Sequence, residues 1–284
     1  MQLAAPFLAV ATLFAAIAAP APDTTLATAP HRAGATFEVT ASHEMKMSIG
    51  IHVGGQEVQK MPMHGSGKIA AKVAVKAADE KGASEATLAF GDCSEITPNP
   101  MAPAESQPTD CSGKSYAAKR GAAGLVVTGP SPELSDDEKL ATGMIAAHLL
   151  EAAPLAGVLG GKALKKGDAV ELPADVAQRC LGFFADDAKV QSVKLTLAEE
   201  PTAGSDAVVF QVAAKLVSPK NDENPAEMTM ELAGTWTVAK ATSRVVAMAL
   251  KGPITLNGSM DEGGMKMEMK GSGDWTVAWS AAPK

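Results

Sequence analysis

The sequence predicts an α+β protein: a large curved antiparallel sheet of about ten strands, packed on one or two central helices. Three observations carry that expectation. Apolar and polar residues alternate with period 2 through the first and last thirds of the 284-residue chain. One stretch near the middle switches to a helical period. No strand–helix–strand alternation occurs, so the strands fall in runs around a helical insert, and a parallel sheet has no support.

The chain begins with "LAAPFLAVATLFAAIAA", an apolar run ending in small residues. This reads as a signal peptide over 1–19, removed on export to a secreted or periplasmic location. No later segment is apolar enough to span a bilayer as a helix. Residues 20–34, rich in Ala, Pro and Thr, read as a disordered linker, and 35–284 as a single domain. That domain divides into N-terminal strands (35–128), a helical insert (133–187) and C-terminal strands (188–282).

The first strand is the clearest. Phe37, Val39, Ala41, His43, Met45, Met47, Ile49, Ile51 and Val53 share one face, and Glu38, Thr40, Ser42, Glu44, Lys46, Ser48, Gly50 and His52 the other. Gly54-Gly55 is a hairpin signal. The return strand keeps Met61, Met63, Gly65, Gly67, Ile69, Ala71, Val73 and Val75 on one face. "ADEKG" turns the chain and "ASEATLAFG" brings it back. Then comes a Pro-rich stretch bounded by Cys93 and Cys111, followed by the short strands "KSYAAK" and "GLVVTG".

Ser135 followed by Glu138 has the spacing of a capping box. Leu140, Met144, Ala147 and Leu150 then repeat at helical intervals, predicting a helix over 136–153 that Pro154 stops. "ADVAQRCLGFF" predicts a second, shorter helix. From Ala188 onward every segment reads as strand, with Val190 out of phase and a bulge near Gln191.

Composition narrows the function. A formal net charge of −7 offers no basic face to nucleic acid. No HExxH, GxSxG, phosphate-binding or dinucleotide fingerprint is present, so neither an enzyme nor a cofactor is expected. In an oxidising compartment Cys93 and Cys111 are the plausible disulfide pair, with Cys180 left over on a helix.

One motif is written twice. "MPMHGSGK" (61–68) and "MEMKGSGD" (267–274) both read Met-x-Met-x-Gly-Ser-Gly, and "MTMELAGTW" (228–236) is a looser third copy. Parity places Met61 and Met63, Met228, Met230 and Trp236, and Met267, Met269 and Trp275 on the inward faces of their strands. The first and last copies point to two related half-sheets. Glycine on an inward face bends a strand or leaves space beside it, and methionine fills irregular space. These residues, with Met45 and Met47, are the candidate lining for an apolar small molecule, a lipid or a lipidated partner. Two readings compete with that one. His43, Met45 and Met47 share a face and carry soft donors suited to copper. Alternatively, the methionines are simply the core of a structural envelope protein.

The strand "HEMKMSI", the segment "LKKGDAVELP" and the hairpin "TSRVVAMAL" resemble those of uncharacterised secreted bacterial β-rich proteins of unknown function. More remotely, the plan is similar to lipoprotein-carrier-like folds, where a curved antiparallel sheet wraps helices around an apolar cavity. That resemblance implies lipid or lipoprotein binding, with Trp236, Trp275 and Trp279 among the lining, and it carries over no catalytic residue.

Overall fold

The computed structural model describes residues 24–29, 31–97, 105–122, 124–182, 188–199, 205–221, 225–262 and 265–284. The expected signal peptide lies outside the described residues. In chain order the elements are β1 (Thr24–Thr25), β2 (Thr36–Val53), β3 (Gln56–Asp79), β4 (Gly82–Phe90), β5 (Ser94–Ile96), β6 (Gln107–Pro108), β7 (Ser115–Gly121) and β8 (Gly124–Thr128). The helical region follows: α1 (Asp136–Ile145), a π-helical turn (Ala146–Leu150), α2 (Ala156–Leu159), β9 (Ala163–Leu164), β10 (Ala169–Glu171) and α3 (Ala174–Leu181). Then come β11 (Lys189–Leu197), β12 (Ala207–Ser218), β13 (Ala226–Ala239), β14 (Val245–Glu262) and β15 (Met265–Pro283).

One antiparallel sheet of 13 strands dominates, in the order β10-β11-β12-β13-β14-β15-β2-β3-β4-β7-β8, with β5 and β6 attached beside β3. Strand accounts for 63% of the protein and helix for 12%. The fold is therefore mainly β, and the expected α+β class is wrong. The reason is local. The strands run longer than expected, up to the 24 residues of β3. The helices run shorter: α1 loosens into a π turn at Ala146, and the backbone is extended by Glu151. So little helix cannot form a layer of its own.

Local chemistry accounts for the elements. Gly54 and Gly55 have φ of +59° and +85°, the positive pair that a type I′ hairpin requires between β2 and β3. The Ser135 hydroxyl accepts from the Glu138 N–H while the Glu138 carboxylate accepts from the Ser135 N–H, so the capping box closes as the spacing implied. The pairing of β11 with β12 slips between Val190 and Ser192, where the phase break lay.

Three further expectations are corrected. The stretch 20–34 is not uniformly disordered: Thr24 and Thr25 pair with Leu164 and Ala163, and Leu26 is fully buried. Leu140 does not face the core but is 45% exposed, because the buried face of α1 runs through Glu138, Ala141, Thr142, Met144 and Ile145. The two Met-x-Met-x-Gly-Ser-Gly copies do not mark equivalent places in two half-sheets. One lies on the second strand of the first run and the other on the last strand of the second run, and both flank β2.

The helical region is tied to the sheet by two buried charged side chains. Glu138 accepts hydrogen bonds from Lys114 Nζ (2.8 Å) and Tyr116 Oη (2.6 Å), fixing α1 to β7. These bonds, with the one from the Ser135 N–H, hold its carboxyl pKa at about 2. Arg244, at the start of β14, donates to the carbonyls of His148 and Glu151 where the π turn ends. Trp279 of β15 lies against the His148 ring at 4.9 Å.

Candidate functional site

The site is built on β2. Both of its neighbours run antiparallel to it, and each carries one copy of the repeated motif. His43 stands between Gly67 and Val277, and Met45 between Gly65 and Trp275. Met47 stands between Met63 and Gly273, and Ile49 between Met61 and Gly271. Every inward side chain from His43 to Ile49 thus has a glycine on one side and a large residue on the other. The copies are staggered by four residues along β2, so the methionines of the β3 copy lie level with the glycines of the β15 copy. The Met47 methyl uses the space at Gly271, where an added Cβ would stand 3.2 Å from it. The His43 ring lies over Gly67, where an added Cβ would stand 2.5 Å away.

Three other inward glycines bend the sheet. A Cβ on Gly234 would meet the Ala249 carbonyl oxygen at 2.0 Å, one on Gly252 that of Glu231 at 1.9 Å, and one on Gly273 that of Lys46 at 2.0 Å. Directly opposed Cβ atoms in an ordinary sheet stand about 4.5–5.5 Å apart. Each neighbouring backbone therefore folds in over the glycine. In register, Gly234 lies opposite Leu250, and Gly273 opposite Ile254, with Gly252 between them on β14. The three make a diagonal crease across β13, β14 and β15 that curls the sheet toward its inward face.

Beyond the crease this face is apolar across five strands, and its burial falls toward the hairpin tips. Met230 and Ile254 are 1% exposed and Met47 and Ile49 are buried, whereas Met260 is 38% and Met265 55% exposed. Between these limits Met45, Met61, Met63, Met228, Met267, Met269, Ile51 and Leu256 are half-buried. The opposite face carries Lys46, Ser48, Lys60, Lys266, Glu268 and Lys270. The result is a trough, dry at its base and open at its end.

At the β2–β3 side the trough face continues into a pocket of about 100 Å³ beneath α1. Ala41, Ile69, Leu140, Ala141 and Met144 give it an apolar wall, and His43, Glu95, Thr109 and Asp137 add polar groups. Burial lowers the His43 pKa, favouring the neutral ring. Cys111 also lines the pocket. It and Cys93 are buried free thiols in contact with each other, and no disulfide is present among the described residues. Burial pushes the Cys111 thiol up to about 11. Cys180 is likewise a buried free thiol, on α3.

The predicted lining residues divide in two. Met45, Met61, Met63, Met228, Met267 and Met269 line the open trough. Met47, Met230, Trp236 and Trp275 sit beneath it as core, with Trp236 fully buried. His43 shares the face of Met45 and Met47 but turns into the pocket, away from the methionine-rich end. Among the described residues no group of three or more His, Cys, Asp or Glu side chains could hold a metal ion. Sequence reasoning missed Leu256, Met260 and Met265 as trough residues, although their parity was readable, and missed the α1 wall of the pocket, which parity does not reveal.

No protein-family model matches the chain, and no curated protein matches it. Among solved structures, the chain is similar to lipovitellin, in a structure titled for its lipid–protein interactions, at 8% identity and a TM-score of 0.39. That alignment covers 87% of this chain and 25% of lipovitellin. It is also similar to Pseudomonas aeruginosa OpdQ at 8% identity and a TM-score of 0.22, covering 78% of this chain and 62% of OpdQ. The chain thus spans about a quarter of the first protein and under two thirds of the second. Neither likeness bears on function.

Proposed function

We propose that the protein binds an apolar ligand, a lipid acyl chain or the chain of a lipidated partner, along the open trough. It acts as an exported binding protein rather than as an enzyme. One observation carries the reading: eight of the twelve described methionines stand half-buried or exposed on this one face, in register across adjacent strands. Methionine there gives an adaptable apolar surface of the kind used to bind varied apolar partners.

Size supports a chain over a compact molecule. An apolar cavity of about 150 Å³ just holds benzene. The pocket under α1 is smaller, at about 100 Å³, so it takes only the end of a ligand whose remainder lies on the trough. Burying a ten-carbon chain contributes about 8 kcal/mol before the cost of association.

The test is a titration with an environment-sensitive naphthalene probe, displaced by a long-chain fatty acid. Saturable displacement is expected for the native protein. It is lost in Met63→Asp and Met269→Asp, on the trough, and kept in Ser48→Asp, on the outer face. Absence of saturable binding, or equal loss in all three variants, overturns the proposal.

A further inference from the structure

The trough's outer end differs from its base in a way that apolar binding does not explain. Fully buried inward positions are filled mostly by Leu, Ile, Val and aromatic residues, whereas the β14–β15 end carries Met260, Met265, Met267 and Met269, with Val53 and Ile51 of β2 opposite the last two. Met260 and Met265 are 38% and 55% exposed. Side chains that exposed gain little from burial, so the adaptable apolar surface that methionine gives the half-buried trough accounts for them least. The property that remains particular to methionine is its sulfur.

The register brings these sulfurs together. Met260 on β14 lies directly opposite Met267 on β15. Met265 and Met269 flank Met267 at two residues on either side, on the same face of the strand. Met269 faces Gly258, over which β13 closes so tightly that an added Cβ would stand 2.6 Å from the Ala226 Cβ, so the Met269 side chain lies toward Met267 and Met260. Directly opposed Cβ atoms lie about 4.5–5.5 Å apart and diagonal neighbours about 7–8 Å, within reach of long side chains. Methionine's three rotatable bonds let the thioethers converge on one point.

We infer that Met260, Met267 and Met269 form a trigonal thioether site for a monovalent soft cation, Cu(I), with Met265 as a further donor on the solvent side. Thioethers select Cu(I) over harder ions. The described residues offer no His, Cys, Asp or Glu group for a divalent metal. His43 takes no part, since it lies ten residues from Val53 along β2, about 34 Å in an extended strand, and Val53 is the residue opposite Met267. The site goes beyond the proposed apolar binding and does not depend on it. Its donors carry no proton, so its affinity does not change with pH, unlike a site built on His or Cys.

The experiment titrates the full protein with Cu(I), anaerobically and with reductant, against a coloured Cu(I) chelator. One equivalent is expected to leave the chelator per chain, equally at pH 5.5 and 7.5. Outer-sphere changes alone cost metal sites about 10–100-fold in affinity. Met260→Leu combined with Met267→Leu, which keeps apolar volume but removes two sulfurs, is therefore expected to weaken binding by at least that factor. Met63→Leu leaves it unchanged, and so does His43→Gln. X-ray absorption of the loaded protein shows sulfur ligands. The inference is overturned by no competition from the native protein, by equal binding in the double variant, by loss in His43→Gln, or by nitrogen and oxygen ligation alone. Retention of the naphthalene probe by the double variant separates this outcome from failure of apolar binding.

Discussion

Gly273→Ala tests whether the crease shapes the sheet. Its effect follows from two opposing terms. Replacing a strand glycine with alanine removes backbone freedom from the unfolded chain and by itself stabilises by about 0.5–1 kcal/mol. Against this, the new Cβ would stand 2.0 Å from the Lys46 carbonyl oxygen and 2.5 Å from the Met47 Cα. Both are backbone atoms of β2, so no side chain can swing aside, and β2 or β15 must move. Overpacking of this kind costs about 1–3 kcal/mol and sometimes more. The net expectation is destabilisation by about 1–2 kcal/mol, with a fall in Tm of about 2–4 °C per kcal/mol. Gly143→Ala is the control. Gly143 is exposed on α1 with nothing within 4 Å of an added Cβ, so the same substitution should stabilise by up to about 1 kcal/mol. Urea unfolding of both variants gives the two free energies. A Gly273→Ala protein as stable as the native one, with native probe binding, would refute the crease.

Two further outcomes are expected. Stability should fall with acid in two overlapping windows. Burial lowers His31 to about 4 and His148 to about 3 from 6.5, so their contribution is complete above about pH 6.5 and is lost as pH falls to those values. Glu138, held at about 2, contributes fully above about 4.5 and loses that contribution as pH falls toward 2. Urea midpoints across pH 2–8 check this, and a profile flat from pH 7 to 4 contradicts the buried neutral histidines. The touching thiols of Cys93 and Cys111 should close to a disulfide when the protein folds in the presence of a small-molecule disulfide, adding about 3 kcal/mol of stability. Thiol titration of the unfolded oxidised protein should then find one thiol, Cys180, and finding three rules the bridge out.

What the sequence revealed depended on the range of the signal. The alternation from Phe37 to Val53 gave β2 to within a residue, because period 2 is set by each residue's own neighbours. The capping box and the bulge at Gln191 were readable for the same reason. Helix length was not. The 3.6-residue period in 136–153 persists past Ala146, but packing against β4 and the hydrogen bonds from Arg244 favour a π turn there. Parity placed the methionines on one face. It could not show that β3 and β15 both flank β2, or that a four-residue stagger sets one copy's methionines level with the other's glycines. Those facts depend on a strand pairing across more than two hundred residues.

That pairing also sets a timetable for folding. Val53 and Met267 are neighbours in the middle of the sheet, and β2 and β15 share a ladder of 17 residue pairs. During synthesis at about 5–20 residues per second, β2 waits on the order of 10–40 s for its partner. Through that interval it offers an open edge next to an apolar face, the combination that invites pairing with another chain. Glu38, Glu44 and Lys46 along its outer face then act as gatekeepers while the nascent sheet waits.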